Sequence, residues 1–399
     1  MTLKLSTIGY LRIFLVFVIA SGFVGCGPQQ PVGAHLVAQP SPQDLAGFAR
    51  ADSPRQFIFP ADHGPHPDFQ TEWWYYTGNL DSLDGRHFGF QLTFFRRALL
   101  PPQRRENRSS NWAADQVYMA HFALTDVNGS RYFAYERLAR GAAGLAGAQA
   151  QPFSVWLEDW RIERTDDPEG CIEITQAVPC SYQLTASEGD LSLDLRLVDL
   201  KGPVLQGDRG LSQKGAGPGQ ASYYYSLSRL KVSGELLLGD RRIPVSGWGW
   251  MDHEFSTSAL SKDQIGWDWF SLQLADGSEM MVFQIRREDG SIDPFSSGTL
   301  IEPDGALIHL KKDDFQVEVL RQWKSPHSNA SYPARWLVSL PEFGMNLTLE
   351  PYLADQELNV SYAYWEGAVR IVGDREGVPL SGSGYAELTG YSASMGGDF

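Results

Sequence analysis

The protein has 399 residues, of which 43% are hydrophobic and 12% aromatic, and its formal net charge is −15. This length accommodates two domains of ordinary size, and the 40 Gly and 23 Pro are typical of an ordered, turn-rich β protein. The negative charge argues against a nucleic-acid partner, because a phosphate backbone requires a basic surface.

The N-terminus has the pattern of a targeting segment. Lys4 and Arg12 precede an apolar run at residues 13–20 that is too short to span a membrane comfortably. The run leads to Phe-Val-Gly-Cys at residues 23–26, which resembles a bacterial lipobox. We therefore expect residues 1–26 to be a lipoprotein signal peptide that ends at a lipidated Cys26. An ordinary signal peptide with an incidental cysteine is the alternative.

Lipidation determines what we expect of the following residues and of the other cysteines. Residues 27–55, rich in Pro, Gln, Ala and Gly, are predicted to be a flexible tether. The protein would face the periplasm of a bacterial envelope, with the lipid as its only membrane attachment. Gly27 after the cysteine resembles lipoproteins that are sorted to the outer membrane. Cys171 and Cys180 then remain, and we expect them to form a disulfide in this oxidising compartment.

The rest of the chain has the pattern of an all-β protein. Alternating apolar and polar residues occur at 88–99, 116–127, 153–163, 191–198, 223–238, 269–287, 315–323 and 336–350. Asp-Gly pairs at 276–277, 289–290 and 304–305 indicate turns. No long segment has a helical period, so helices should be short and peripheral. The Gly-rich residues 201–220 are predicted to be a flexible surface loop.

An internal repeat indicates that one type of domain occurs twice. Residues 223–234 match 362–373 without a gap, and residues 243–252 match 378–387, each ending in an acidic residue after an aromatic one. We predict an N-terminal domain at 56–256 and a C-terminal domain at 257–399. Sheets without covering helices favour closed antiparallel barrels or sandwiches. A barrel of roughly eight to ten strands has an interior that can hold one apolar ligand.

The densest group of polar and aromatic residues lies at 63–80. This segment resembles the opening of the AttH/CrtC family, and further matching stretches are 249–255, 266–274, 364–369 and 384–391. The family comprises bacterial proteins with two lipocalin-like domains, includes carotenoid 1,2-hydratase (hydroxyneurosporene synthase), and contains many members named only as predicted secreted hydrolases. The resemblance extends from about residue 57 to the C-terminus. It implies an all-β fold of two tandem lipocalin-like antiparallel β-barrels.

Several acidic residues beside aromatic ones are candidates for acid catalysis. Glu72 could be a carboxyl group in an apolar wall, where desolvation raises its pKa, or could instead accept hydrogen bonds from arginine or backbone donors. Asp252 and His253 add titratable groups at the end of the first domain, although His253 could have a structural role at the domain junction. Strand alternation sends Trp267 and Trp269 to one face and Asp268 to the other, so the three cannot line one cavity without a bulge.

These residues support two principal hypotheses. The first is binding of an apolar or amphipathic, isoprenoid-like or lipid-like molecule in a barrel cavity. The second, implied by the family resemblance, is hydration of a carbon–carbon double bond by acid catalysis, or a related pericyclase-like activity. The catalytic candidates are Glu72, Asp252, His253 and Asp268, and the ligand-binding candidates are Trp73, Trp74, Tyr76, Trp250, Trp267, Trp269, Trp365 and Glu366.

Other reaction classes have little support in the sequence. It contains no Gly-x-Ser-x-Gly elbow, no His-Glu-x-x-His, no P-loop and no dinucleotide fingerprint. Its eight histidines lack tight ligand spacing, although His63 and His66 lie near Asp62 and Asp68 and form a minor candidate for an adventitious metal site. We therefore expect no cofactor and no metal, and a serine or metallo-hydrolase is not supported.

Replacement of the predicted lipidated residue, Cys26→Ser, should release the protein from the membrane into the soluble periplasmic fraction, because the lipid is the only expected anchor. Cell fractionation with immunoblotting measures this distribution. Ser6→Ala, in the same segment, is a control that should stay membrane-bound. Equal membrane association of wild type and Cys26→Ser would contradict the predicted anchor.

Overall fold

The computed structural model describes residues 45–105, 110, 112–166, 180–257 and 260–395. Strands dominate these residues, and the helices among them are 3₁₀ turns at Ala61–His63, Pro102–Arg104 and Pro341–Phe343. None of the helices in this part of the chain has the length and hydropathy required to cross a membrane. The predicted all-β class, with short helices only, is confirmed.

The first sheet is antiparallel and forms a nearly closed barrel. Its strands are β1 (Thr71–Ser82), β2 (His87–Ala98), β3 (Gln116–Asp126), β4 (Arg131–Arg140), β5 (Ala146–Ala150), β6 (Phe153–Leu157), β7 (Trp160–Arg164), β8 (Ser181–Glu188), β9 (Leu191–Asp199), β10 (Pro203–Leu205), β11 (Leu211–Gln213), β12 (Ala221–Leu238) and β13 (Arg241–Ser256). Their order is β4-β3-β2-β1-β13-β12-β9-β8-β7-β6-β5, and β10 and β11 pair with β12.

The second sheet is antiparallel and forms a half-barrel. Its strands are β14 (Gln264–Leu274), β15 (Glu279–Arg287), β16 (Ser297–Ile301), β17 (Leu307–Lys311), β18 (Gln316–Lys324), β19 (Ser331–Leu340), β20 (Met345–Pro351), β21 (Glu357–Asn359), β22 (Ala363–Arg375) and β23 (Val378–Leu388). Their order is β17-β16-β15-β14-β23-β22-β20-β19-β18, and β21 pairs with β22.

The two sheets share one topology, as the internal repeat predicts. In each sheet the first strand pairs with the last, and the last pairs with the strand before it. One difference interrupts the ungapped sequence match: a β-bulge between Leu227 and Leu230 adds one residue to β12. Ser226 therefore lies opposite Asp252, whereas its structural equivalent Glu366 lies opposite Glu387. For the residues of β12 that precede the bulge, the structurally equivalent residue of β22 is therefore one position later than the ungapped sequence match gives.

Strand alternation fills both sheet interiors with apolar side chains. In β9, for example, every second residue from Leu191 to Leu197 is buried in the first core, and the residues between them are more exposed. Trp74 and Tyr76 belong to this core, and Trp336 and Trp365 pack in the core of the second sheet. The expectation of a ligand inside a barrel therefore needs correction, because these side chains occupy the space predicted for it.

The outer faces of the two sheets pack against each other through crossed contacts between equivalent strands. Asn79 of β1 donates to the Gly384 carbonyl of β23 at 2.9 Å. In return, Gln273 of β14 donates to the Gly249 carbonyl of β13 at 2.8 Å. Both sheets therefore contribute the same pair of strands to the junction, which places the aromatic faces of the repeat against each other.

Two segments predicted to be flexible are packed in the structure. Phe48 and Ala51 are buried, and the hydroxyl of Tyr223 donates to the Ser53 carbonyl, so packed residues occur within the segment predicted as a tether. Residues 201–220 carry β10 and β11 and cross to the second sheet, where Lys201 pairs with Glu279 at 2.6 Å. The polar composition of this loop indicated surface exposure, but its side chains bond to the neighbouring domain.

Candidate functional site

A cavity lies between the two sheets, lined by side chains that alternation directs out of the barrel interiors. The space between its lining atoms measures about 1050 Å³, and this volume includes open solvent. The lining residues are mostly aromatic or apolar, with three carboxylates and one lysine: Trp73, Tyr75, Thr93, Phe95, Lys214, Ala221, Ser222, Tyr224, Asp252, Glu254, Ser256, Leu260, Trp267, Trp269, Phe283, Ile285, Tyr362, Glu387, Thr389 and Met395. Such a lining suits an apolar or amphipathic molecule.

The first sheet contributes Asp252, which is buried at the cavity wall. Its carboxyl group accepts hydrogen bonds from the hydroxyl of Tyr224 at 2.8 Å, the indole of Trp250 at 2.8 Å and the hydroxyl of Ser226. Burial raises the pKa of Asp252 to about 7, although these donors favour the anion. The indole of Trp269 donates to the Tyr224 hydroxyl at 3.1 Å. The second sheet therefore helps to orient the hydroxyl that donates to Asp252.

The second sheet contributes Glu387, the residue that the repeat aligns with Asp252. The indole of Trp267 donates to its carboxyl group at 2.9 Å. Burial, and next the negative charges of Asp252 and Glu254, raise the pKa of Glu387 to about 7. The cavity therefore holds two carboxyl groups with a pKa of about 7, and they occupy equivalent positions in the two domains.

A third carboxylate and the cavity's lysine form an ion pair at the wall. Glu254, which is 7% exposed, lies 3.5 Å from the ammonium group of Lys214. The same ammonium group lies 4.0 Å from the centre of the Phe283 ring, a cation–π arrangement. Lys214 thus connects the crossing loop to both sheets and partly neutralises this wall of the cavity.

Glu72 faces the opposite side of β1, away from the cavity, and has ion-paired partners. Its carboxylate lies 2.7 Å from the guanidinium group of Arg96 and 2.8 Å from the rings of His253 and His66. Burial opposes ionisation, but Arg96 and hydrogen bonds from the two histidines hold the pKa of Glu72 well below its usual range. Glu72 is therefore not placed to donate a proton in the cavity. The other interpretation of Glu72 from the sequence, as a hydrogen-bond acceptor for arginine, fits these contacts.

His253 belongs to the same buried network. Trp74 stacks on its ring at 4.8 Å, and burial lowers the pKa of His253 to about 4, so the ring is neutral at physiological pH. The acceptor atoms of His66, Glu72 and His253 lie within 4.8 Å of one another, a spacing compatible with a metal ion. However, the Arg96 guanidinium already occupies the remaining side of Glu72, which disfavours a second cation there.

Asp268 also points away from the cavity, as alternation predicts. Its carboxyl group pairs with Arg286 at 2.9 Å and accepts a hydrogen bond from the Tyr391 hydroxyl, whereas Trp267 and Trp269 on either side line the cavity. No bulge brings the three together, because the register of β14 with β15 is continuous from Gly266 to Gln273.

The remaining candidate residues divide between cavity and core. Trp73 lines the cavity, and Trp250 supports Asp252 from the adjacent aromatic cluster. Trp74, Tyr76 and Trp365 lie in the sheet interiors and do not contact the cavity. Glu366 is fully buried on the interface side, next to Glu387.

Sequence reasoning missed the three other charged residues of the cavity wall. Glu387 could have been found, since the repeat aligns it with Asp252. Glu254 could have been assigned from alternation in β13, where it shares a face with Asp252. Lys214 lies in a loop without a periodic pattern, and no sequence signal indicated its position.

A model of the family described as AttH-like matches residues 50–391. The chain belongs to the AttH-like family. The chain is similar to the solved structure of an AttH-type protein from Nitrosomonas europaea, with 36% identity, a TM-score of 0.75, and coverage of 86% of this chain and 100% of that chain. The family resemblance inferred from the sequence is confirmed.

More distant likenesses of this AttH-like protein concern the fold. Kievitone hydratase from Nectria haematococca has 14% identity and a TM-score of 0.62, over 88% of this chain and 97% of that chain. At this identity, the likeness shows the arrangement of two β domains and nothing more specific. No curated protein matches the sequence.

Glu72→Gln should destabilise this AttH-like protein by about 3–5 kcal/mol at neutral pH, because it leaves the buried Arg96 guanidinium without its counter-charge. Urea unfolding followed by circular dichroism measures the change. Glu235→Gln, which removes an exposed pair with Arg242, is the matched control and should cost at most about 1 kcal/mol.

The pH dependence of the same variant gives an independent test. The depressed pKa of Glu72 stabilises the folded state above the unfolded-state value, and this contribution is lost as the pH falls through the folded-state pKa. Wild type should therefore lose more stability than Glu72→Gln as the pH falls below about 4. Parallel pH profiles for the two proteins would contradict the ion-pair assignment.

Proposed function

We propose that the cavity between the two sheets binds an apolar or amphipathic molecule and catalyses the addition of water to one of its carbon–carbon double bonds. The observation that carries this proposal is the presence of Asp252 and Glu387, both with a pKa of about 7, in one aromatic cavity. Acid–base catalysis is most effective when the pKa values of the groups lie near the working pH.

The hydrogen-bond donors around the two carboxyl groups assign different roles to them. Asp252 accepts hydrogen bonds from three side chains, which stabilise its anion, whereas Glu387 accepts one from Trp267. When one proton is shared between them, it therefore resides mainly on Glu387. Glu387 is the acid that protonates the alkene carbon, and Asp252 is the base that accepts a proton from the attacking water.

Aromatic rings supply the remaining requirement of such an addition. Protonation of an alkene produces a carbocation, which a ring face stabilises through its quadrupole. Trp73, Trp267 and Trp269 line the cavity beside the two carboxyl groups and provide such faces. The C–H bond forms with the proton of Glu387, and the C–O bond forms as water attacks the cation and loses its proton to Asp252.

Another protein of similar fold is named for this type of chemistry. Kievitone hydratase, which is named as a hydratase, has the same general arrangement of β domains. The similarity concerns the fold, so the proposal for this chain rests on Asp252, Glu387 and the aromatic cavity. We propose further that the protein acts at the bacterial envelope through the lipid anchor expected at Cys26, which lies outside the described residues.

Glu387→Gln and Asp252→Asn should each reduce turnover by roughly hundredfold to ten-thousandfold while leaving ligand affinity within a few-fold, because the amides keep shape but cannot exchange protons. Acyclic isoprenoid alkenes, including acyclic carotenoids, are the first substrates to test, with mass spectrometry detecting the addition of one water. Asp268→Asn, an equally buried carboxyl on the opposite strand face, is the matched control. Tight binding by wild type without any hydrated product would indicate a carrier instead.

The pH profile should distinguish the acid from the base. Below about pH 7, Asp252 gains a proton and cannot accept one from water; above about pH 7, Glu387 loses the proton that it must donate. We expect a bell-shaped profile of kcat/KM with its maximum near neutral pH, and its two apparent pKa values belong to the coupled pair. A profile that is flat across neutrality would exclude these two groups as acid and base.

A further inference from the structure

A fourth carboxyl group lies behind the cavity wall, at the junction of the two sheets. Glu366 of β22 is fully buried and lies directly opposite Glu387 of β23 in the antiparallel register. Side chains at such positions share one face, with Cβ atoms about 4.5–5.5 Å apart. Glu366 is therefore a close neighbour of Glu387, although it does not line the cavity itself.

Several buried polar atoms near Glu366 lack hydrogen-bond partners. Within the described residues, neither carboxyl oxygen of Glu366 has a hydrogen bond of normal geometry, and the same holds for the hydroxyls of Tyr75 and Tyr385. Burial, and next the charge of Glu387, raise the pKa of Glu366 well above its usual range, and the hydroxyls of Tyr75 and Tyr364 lie near enough to oppose this shift. Burial thus favours the neutral form of Glu366, in which the carboxyl group can both donate and accept a hydrogen bond.

The chemistry of these groups fits a water molecule. A buried water typically has two to four polar partners, and such waters satisfy groups that would otherwise be costly to bury. Glu366, Tyr75 and Tyr385 supply both donors and acceptors, and their mutual electrostatic interactions indicate that they converge. Tyr75 also lines the cavity and lies opposite Asp252, so it belongs to both the cavity wall and this polar site.

We propose that Glu366, Tyr75 and Tyr385 form a water-binding site, and that this water passes a proton from Glu366 to Glu387 after each catalytic addition. The second part rests on the proposed function; the first does not. Each addition leaves Glu387 without a proton and Asp252 with one. Glu366 gives its proton through the water to Glu387 while product still fills the cavity, and it regains a proton by the same route, through Glu387 and the water, once the cavity opens to solvent. Asp252 releases its proton to solvent, so the cycle conserves protons.

The water site is tested by crystal structures of the full chain. Wild type and Glu366→Gln should show water within hydrogen-bond distance of residue 366 and a tyrosine hydroxyl, since both side chains are polar. Glu366→Leu should lose it. Tyr332→Phe, which removes a buried tyrosine hydroxyl that bonds to Glu357 at 2.9 Å instead, should keep it. A dry site in wild type, at a resolution that shows other buried waters, would overturn the proposal.

The relay is tested by rapid-mixing kinetics with an isoprenoid alkene that wild type hydrates. Glu366→Gln should retain the first turnover, which uses the proton already on Glu387, and then slow by roughly tenfold or more in steady state. Glu366→Asp should restore part of the steady rate. A first turnover slowed as much as the later ones would refute the relay. If wild type hydrates nothing, the relay and the proposed function both fail, and the crystal structures still decide the water site.

Discussion

The alternation of side chains across β-strands is the constraint on which the whole site depends. In β1, Glu72 and Trp74 face the first core, whereas Trp73 and Tyr75 face the second domain. Neighbouring residues in the sequence thus enter two unlike environments. Within the strands, the side chains that line the cavity share the parity of Asp252, apart from Ala221 at the first residue of β12. This rule applies to both sheets, because both present the same strands to the junction.

The two environments treat carboxyl groups in opposite ways. Glu72 is buried beside Arg96 and two histidines, and the ion pair keeps it charged. The interface carboxyls, by contrast, are buried with few cations, so burial raises the pKa of Asp252 and Glu387 instead. Buried charge without compensation is costly, and groups in this state tend to mark functional sites. The pKa values of these buried carboxyl groups therefore differ because their neighbouring residues differ, and not because of the residue type.

Much of the fold was predictable from the sequence, and part of the site was. Periodicity gave the β class, and the repeat gave two domains of one topology. Alternation predicted that Asp268 would point away from its flanking tryptophans, and the structure agrees. The identity of the cavity was not predictable, because it forms where two outer faces meet, and a single strand pattern does not distinguish a face that contacts solvent from one that contacts another domain. The bulge in β12 was equally hidden, since it shifts register without changing composition.

Duplication places two equivalent positions in one cavity, and acid–base chemistry requires that they differ. Tyr75 and Trp269, also equivalent, meet edge to face at 5.2 Å, so the two domains contact each other through matching residues. If both halves had kept identical surroundings, their carboxyl groups would share one proton equally, and neither would be a defined acid or base. Divergence changed the partners instead: Ser226 donates to Asp252, whereas its equivalent Glu366 adds an acid beside Glu387. Because Glu366 replaces the hydroxyl donor at this strand position, the anion of Glu387 lacks a hydrogen bond that the anion of Asp252 has, which biases the anion towards Asp252 and the proton towards Glu387.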